Sequence, residues 1–405
     1  MALFGTKRCA IRNATVVLLV LLSACGGGGS GRGSVAPAQG PGPITKAERD
    51  DAARFAAQAS FGMTYAQIQS IARTPRDQWI DSQIALPPTL QLPTAVDIFN
   101  RREAGEFSAF EEDVEYLIYA RRLAWWHNTV TAPDTLRQRV AFALSQIFVV
   151  SDNVDALLVY PDALSTYYDL MLTNAFGNFR DLLYDVTTSP AMGLYLSHLN
   201  NRRSDPANNI FPDENFAREV MQLFSIGLFE LNQDGSVQIG SNGLPLPTYS
   251  NADIAEFAKV FTGFSFGGDA AFFGNIDAPV FSLPMQMFDV AHEPGEKRLL
   301  RGTVLPAGQT GLEDVNAAID NLFEHPNVGP FIGKQLIQRL VTSNPSPAYI
   351  SRISAVFADN GRGERGDLAA VVRAILLDPE ATQRPTGAQQ TSGKLQEPVV
   401  RYVSL

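Results

Sequence analysis

The chain has 405 residues, 45% hydrophobic and 18% charged, too apolar for a disordered polymer and long enough to bury a sizeable core. Lysine and arginine number 32 against 42 acidic residues, a formal net charge of −10. Such a balance argues against nonspecific nucleic-acid binding, which needs cationic side chains facing phosphates. Cys9 and Cys25 are the only thiols, which excludes a disulfide scaffold and a multi-thiolate zinc site.

The first 25 residues read as an address. Lys7, Arg8 and Arg12 form a positive start with no acid among the first 24 residues; without those 24, 29 cations face 42 acids, a net −13. The apolar stretch Ala14–Leu22 follows. As a helix it would span about 14 Å, half a bilayer core, so it is an export signal rather than a stable membrane span. Leu22-Ser23-Ala24-Cys25 resembles the bacterial lipobox, in which the chain is cut before the cysteine and the thiol is diacylated. Cys25 is therefore the expected lipidation site, with residues 1–24 as the signal peptide. Residues 25–43 form a Gly/Pro-rich tether with no apolar period; its 18 residues after Cys25 reach roughly 23 Å. The expected placement is outside the cytosol on a lipid anchor. Gly26 after the cysteine gives no Asp-type inner-membrane retention cue, which favours the outer membrane in a host that has one.

Residues 44–405 read as mainly α, one compact multi-helix domain with an irregular loop and short-strand insert at about 231–308. Thr45-x-x-Glu48 and Thr64-x-x-Gln67 are capping-box patterns that open helices, and Thr74-Pro75 opens a third. Apolar residues at three- and four-residue spacing predict a long helix over 107–130. The segment 133–150 is apolar on nearly every face, which predicts a central buried helix. Further helices are expected at 161–174, 178–188 and 213–229. In the last, Phe216, Val220, Leu223 and Phe224 share one face, and Glu214, Arg218, Gln222 and Ser225 the other. From 231 to 308 Gly, Pro, Asn and Phe cluster and helical periodicity survives only at 251–262. It resumes at 311–325, 329–342, 347–359 and 367–377.

Several blocks together resemble a known family. They are Ala53-Arg-Phe-Ala-Ala-Gln-Ala-Ser-Phe-Gly62, Asn178-Phe-Arg-Asp-Leu-Leu183 with Ser189-Pro-Ala-Met192, and Pro212-Asp-Glu-Asn-Phe-Ala-Arg-Glu-Val-Met221. Ala258-Lys-Val-Phe-Thr-Gly263, His292-Glu-Pro-Gly-Glu-Lys297, His325-Pro-Asn-Val-Gly-Pro330, Leu377-Asp-Pro379 and Lys394-Leu-Gln-Glu-Pro-Val399 follow in order. From about residue 50 to 405 the chain resembles the bacterial proteins grouped as domain of unknown function 1800. The resemblance implies export and a mostly helical body, and no established activity. It also implies another helix after the Lys394 block, so a sequence stopping at Leu405 reads as a clipped body. Many similar proteins carry a Trp-His-x-His-Phe segment where this chain has Leu144-Ser-Gln-Ile-Phe148, so two imidazoles are missing here. His127, beside Trp125-Trp126, belongs to the preceding helix and does not inherit their place.

Two constellations can carry chemistry. In Asp213-Glu-Asn-Phe-Ala-Arg-Glu219 the aspartate can cap a helix, and Glu214 and Arg218 form an i,i+4 ion pair. Glu219 sits at the border of polar and apolar faces, where a raised pKa would suit a general acid or base. In His292-Glu-Pro-Gly-Glu-Lys297, His292 can serve as base or ligand and Lys297 as an oxyanion partner. Glu214, Glu219, His292 and Lys297 are thus the candidate catalytic set. The structural alternatives are a capped, paired helix and a turn that clasps the insert to the core. Asp205, Asp213 and Glu214, with the Asn-rich loop 200–209, offer hard oxygen donors for Ca²⁺ or another divalent cation, although no EF-hand spacing is present and no cofactor is otherwise evident. His198 and His325 read as structural, with His325-Pro326 at a helix boundary. No nucleophile elbow, phosphate loop or dinucleotide fingerprint occurs.

Two functions follow. One is an exported lipoprotein that binds or helps assemble an envelope component, a polysaccharide or a partner protein. The other is a surface hydrolase of glycans or esters that uses Glu214, Glu219 and His292.

Overall fold

The computed structural model describes residues 42–106, 113–158, 160–269, 271–276, 279–383 and 393–404. The signal segment 1–24, Cys25, most of the tether and Leu405 lie outside the described residues. So do residues 107–112, with which the expected 107–130 helix begins.

Both expected capping boxes are present. Thr45 Oγ1 accepts the Glu48 amide while Glu48 accepts the Thr45 amide, opening α1 (Lys46–Ala59). Thr64 and Gln67 do the same for α2 (Tyr65–Ile71). Pro75 precedes α3 (Arg76–Ile84) by one position. α4 (Gln91–Glu103) has no counterpart among the expected helices. Pro93 in its first turn masks it, and its cap is remote: the Asp169 carboxylate accepts the amides of Gln91 at 2.6 Å and Leu92 at 3.1 Å.

α5 (Asp113–Thr131) lies along α4, and α6 (Thr135–Ser145) along α8 (Pro161–Asn174), after the short α7 (Asp155–Leu158). The expectation of a central α6 holds, and its burial takes in Arg137, Gln138 and Arg139 as well as the apolar residues. Arg137 tolerates this by donating to the carbonyls of Leu172, Ile84 and Leu86.

α9 (Phe179–Thr188) and α10 (Pro190–Tyr195) lead to α11 (Asn215–Gln222). Phe148 after α6 ties this layer together, with ring centroids 6.1 Å from Phe179 and 5.3 Å from Phe224. α11 ends earlier than the expected residue 229. The amides of Ile226 and Gly227 both turn back to the Met221 carbonyl, and Gly227 adopts φ +73°. Phe216, Val220 and Phe224 are buried as the periodicity predicts, but Leu223, at the C-cap, is 45% exposed.

The insert contains α12 (Asn251–Val260) and two antiparallel pairs, β1 (Phe264–Ser265) with β2 (Gln286–Met287) and β3 (Lys297–Arg298) with β4 (Val304–Leu305). Its first part, 229–247, folds back through isolated bridges at Phe229–Pro247, Leu231–Val237 and Ile239–Pro245. Buried Asn327 pins its base: Nδ2 donates to the Ile226 and Phe229 carbonyls, and Oδ1 accepts the Leu231 amide. α13 (Gly311–Phe323), α14 (Val328–Leu340), α15 (Pro347–Ala358), α16 (Leu368–Leu377), α17 (Pro379–Thr382) and α18 (Pro398–Val403) complete the order. The His325-Pro326 boundary falls between α13 and α14. The body is mainly helical with a short-strand insert, and no described helix is long and apolar enough to cross a membrane.

Candidate functional site

The acidic helix lies largely at the surface. Asp213 Oδ1 accepts the Asn215 amide at 2.8 Å, so it caps α11, and its own amide donates to Asn201 Oδ1. Glu214 and Arg218 approach to 3.5 Å with their side chains 47% and 40% exposed, so the expected i,i+4 pair lies at the surface. Glu219 is half-buried. Burial pushes its carboxyl above the ordinary range while Arg218 pulls the other way, and its Oε2 is enclosed without a hydrogen-bond partner.

Asp205 is occupied locally: its side chain accepts Asn208 Nδ2 at 2.6 Å, and its backbone pairs with Ile210. Among the described residues no group of three or more His, Cys, Asp or Glu side chains is placed to hold a metal ion.

His292 and Lys297 meet at a carboxylate that the sequence reading does not single out, Asp314 in the first turn of α13. His292 Nε2 lies 3.0 Å and Lys297 Nζ 2.5 Å from Asp314 Oδ2. All three side chains are sealed, at 2% exposure or less. Lys297 also donates to the carbonyls of Glu293 at 2.6 Å and Gly295 at 3.0 Å, so three acceptors surround its Nζ. His292 Nδ1 faces the Thr262 carbonyl at 2.9 Å, and Thr262 Oγ1 accepts the Glu293 amide. Burial pushes the Asp314 carboxyl up, but His292 and Lys297 together draw it below its ordinary range. Gly263 lets the chain pass close by: at φ +94°, an added Cβ would meet Phe288 O at 2.9 Å and His292 Cβ at 3.1 Å. No described hydrogen bond or ion pair joins His292 or Lys297 to Glu214 or Glu219. The arrangement clasps the insert to α13.

His198 and His325 are neutral by burial. His198 stacks on Phe216 at 3.9 Å and donates Nε2–H to the Thr187 carbonyl, with its pKa lowered to about 4. His325, 3.6 Å from Glu230, is also lowered to about 4, by burial first and then by Arg301 and Arg365.

A different region is open. Between α4, α5, α6 and α8 lies a concavity of about 440 Å³ whose walls include Trp125, Trp126, Phe142, Phe148, Tyr167 and Tyr168. Its polar edge is Gln91, Arg121, Arg122, Ser145, Ser151 and Asp152. The aromatic wall is packed ring on ring: Trp125 stands edge to face with Trp126 at 5.3 Å and tilted against Phe142 at 5.7 Å, and its Nε1 donates to Tyr168 Oη at 3.1 Å. Trp126 also meets Tyr402 of α18 at 5.7 Å. Arg121 and Arg122 both reach Asp152 Oδ2, at 2.5 and 2.9 Å. Gln91 is 3% exposed, donates Nε2 to the Arg121 carbonyl, and leaves Oε1 without a donor.

The sequence carried two signals for this region without assembling them. They are the Trp125-Trp126 pair and the departure at 144–148, which contributes Ser145 and Phe148 to the wall. Gln91, Arg121 and Asp152 come from separated segments and give no local motif.

Fold and site together define a mainly helical protein with an aromatic-walled surface pocket and a strand-bearing insert clasped to its core. The chain belongs to the family described as protein of unknown function (DUF1800), whose model matches residues 54–405. No curated protein and no solved structure matches it.

Proposed function

We propose that the chain is an exported, lipid-anchored protein that binds an envelope or extracellular component through the pocket between α4, α5, α6 and α8. The observation that carries the binding half is the aromatic concavity with its polar edge of Arg121, Arg122 and Asp152, backed by the buried, unmet acceptor Gln91 Oε1. A volume of about 440 Å³ lies within the range of small-ligand sites, and rigid aromatic walls with few polar groups are the usual composition of such sites. The anchoring half rests on the lipobox-like Leu22-Ser23-Ala24-Cys25 and the tether behind it.

The hydrolase alternative draws less support. Its His292 and Lys297 are enclosed around Asp314, while Glu214 points to solvent, so a substrate bond reaching both pairs has no evident place. Glu219, with its raised pKa, is the feature that keeps that alternative testable.

The test uses the full-length protein in its native cells. A fatty-acid label incorporated at Cys25 and lost in Cys25→Ala supports the anchor; an unlabelled chain beginning at Met1 overturns it. Retention of the detergent-purified lipoprotein on the cells' own envelope fraction tests the binding. Trp126→Ala is expected to lose retention with an unchanged circular dichroism spectrum, while Glu219→Gln keeps it. The reverse pattern overturns the pocket assignment.

A further inference from the structure

We infer that the pocket takes a carboxylate-bearing saccharide, an oligomer of uronic acid residues; this rests on the reading of the pocket as a binding site and names its ligand class. Three observations converge.

The first is charge. The whole chain is acidic, yet among the described residues the charged lining of this pocket is two guanidiniums, Arg121 and Arg122, against one carboxylate, Asp152. Both arginines converge on the same oxygen of Asp152, so one carboxylate divides its attraction between two cations that repel each other. Arg122, at 50% exposure, keeps donors free toward solvent. The wall behind continues the excess. Arg139, fully buried, lies with its guanidinium 5.8 Å from the Phe142 ring centroid and leaves Nε and Nη1 without partners. Arg339 and Lys394 adjoin it, with Glu397 as the local carboxylate and Asp169 behind Gln91 as another. A site with surplus positive charge inside an acidic body is complementary to an anion.

The second is hydrogen bonding. Gln91 Oε1 is a buried acceptor lacking a donor, and a buried acceptor left unmet is costly. A carboxylate has no proton to give it, and a sugar hydroxyl has. A ligand that pairs an anionic group with neutral O–H or N–H donors meets both the arginines and this oxygen.

The third is shape. Half-buried Trp125, Trp126 and Phe142 present aromatic surface at the opening. Flat π-faces pack against the C–H faces of a pyranose while its hydroxyls and carboxylate point to the polar rim. An acidic peptide would satisfy the arginines and supply N–H donors, but its flexible backbone offers no rigid ring faces to the aromatic wall.

The experiment is fluorescence titration of the purified lipoprotein with oligosaccharides of three to six residues from galacturonate, mannuronate and glucuronate polymers. The methyl-esterified forms of the same sugars and poly-L-glutamate serve as comparisons. Trp125 and Trp126 are two of the three tryptophans in the chain, so their emission is the readout. At least one uronate series is expected to change it saturably. Its methyl ester is expected to bind at least tenfold more weakly, as is the acid to Arg122→Gln, whose side chain is half exposed and whose loss leaves the fold intact.

Equal binding of acid and ester overturns the charge assignment while leaving a saccharide site in place. Equal or tighter binding of poly-L-glutamate overturns the saccharide. No response to any uronate series overturns the inference, and retention on the native envelope fraction then decides separately whether the pocket binds anything.

Discussion

The clasp at His292, Asp314 and Lys297 and the concavity beside Gln91 both gather charge within one helical body, and they treat it differently. In the clasp, Lys297 has three acceptors, His292 is engaged at both ring nitrogens, and the whole cluster is enclosed. In the concavity, two arginines share one carboxylate oxygen and Gln91 Oε1 has no donor, beside an opening walled by aromatic rings. Closed charge paired with opposite charge holds two parts of a protein together, even though Asp314 Oδ1 is itself enclosed without a hydrogen-bond partner. Open charge in surplus waits for a partner. The histidine and lysine with the most chemical side chains are thus enclosed, and the proposed binding site has fewer obvious reagents.

The largest expected effect breaks the clasp. Lys297→Met leaves the Asp314 carboxylate buried with His292 alone. Such an uncompensated charge costs about 3–5 kcal/mol, to be read as a lowered urea midpoint. The double variant Lys297→Met/Asp314→Leu is expected to recover part of that loss; a double variant as unstable as the single one would show that the clasp contributes more than its ion pair.

Next is Asp169, the remote cap of α4 that sets Gln91 in place. Burial raises its carboxyl from 3.8 to about 6, so between these values the folded chain holds a proton that the unfolded chain releases. Its contribution to stability is full below about pH 4 and is lost as pH rises through 6, a change of about 3 kcal/mol. Asp169→Asn cannot titrate. The stability difference between variant and wild type should therefore move by that amount between pH 3.5 and 7, in favour of the variant as pH rises. A constant difference would show that Asp169 titrates normally.

The smallest effect belongs to Glu214 and Arg218. At 3.5 Å and about half exposed, the pair is worth under about 1 kcal/mol in a double-mutant cycle. A larger coupling would mean that this end of α11 is covered in the working protein.

Much of the helical body was legible because its signals are local: the capping boxes at Thr45 and Thr64, the apolar run around Val140, and the turn residues of the insert. α4 was not, since Pro93 interrupts its pattern and its cap, Asp169, lies 77–78 positions away. The end of α11 was misplaced because periodicity continues on paper through Leu223 and Phe224, whereas Gly227 turns the chain. For the site, His292 and Lys297 were visible as a polar turn, but the carboxylate that explains them sits on another helix. The pocket depends on four helices converging, and no spacing within one segment encodes that.

The most direct measurement is hydrogen–deuterium exchange of the full-length lipoprotein with and without its native envelope fraction. If the proposed anchoring and binding hold, protection is confined to α5, α6 and the start of α4, with the 292–314 region and α11 unchanged. Protection centred on Glu214–Glu219 or on the clasp, with α5 and α6 exchanging freely, would contradict the proposal.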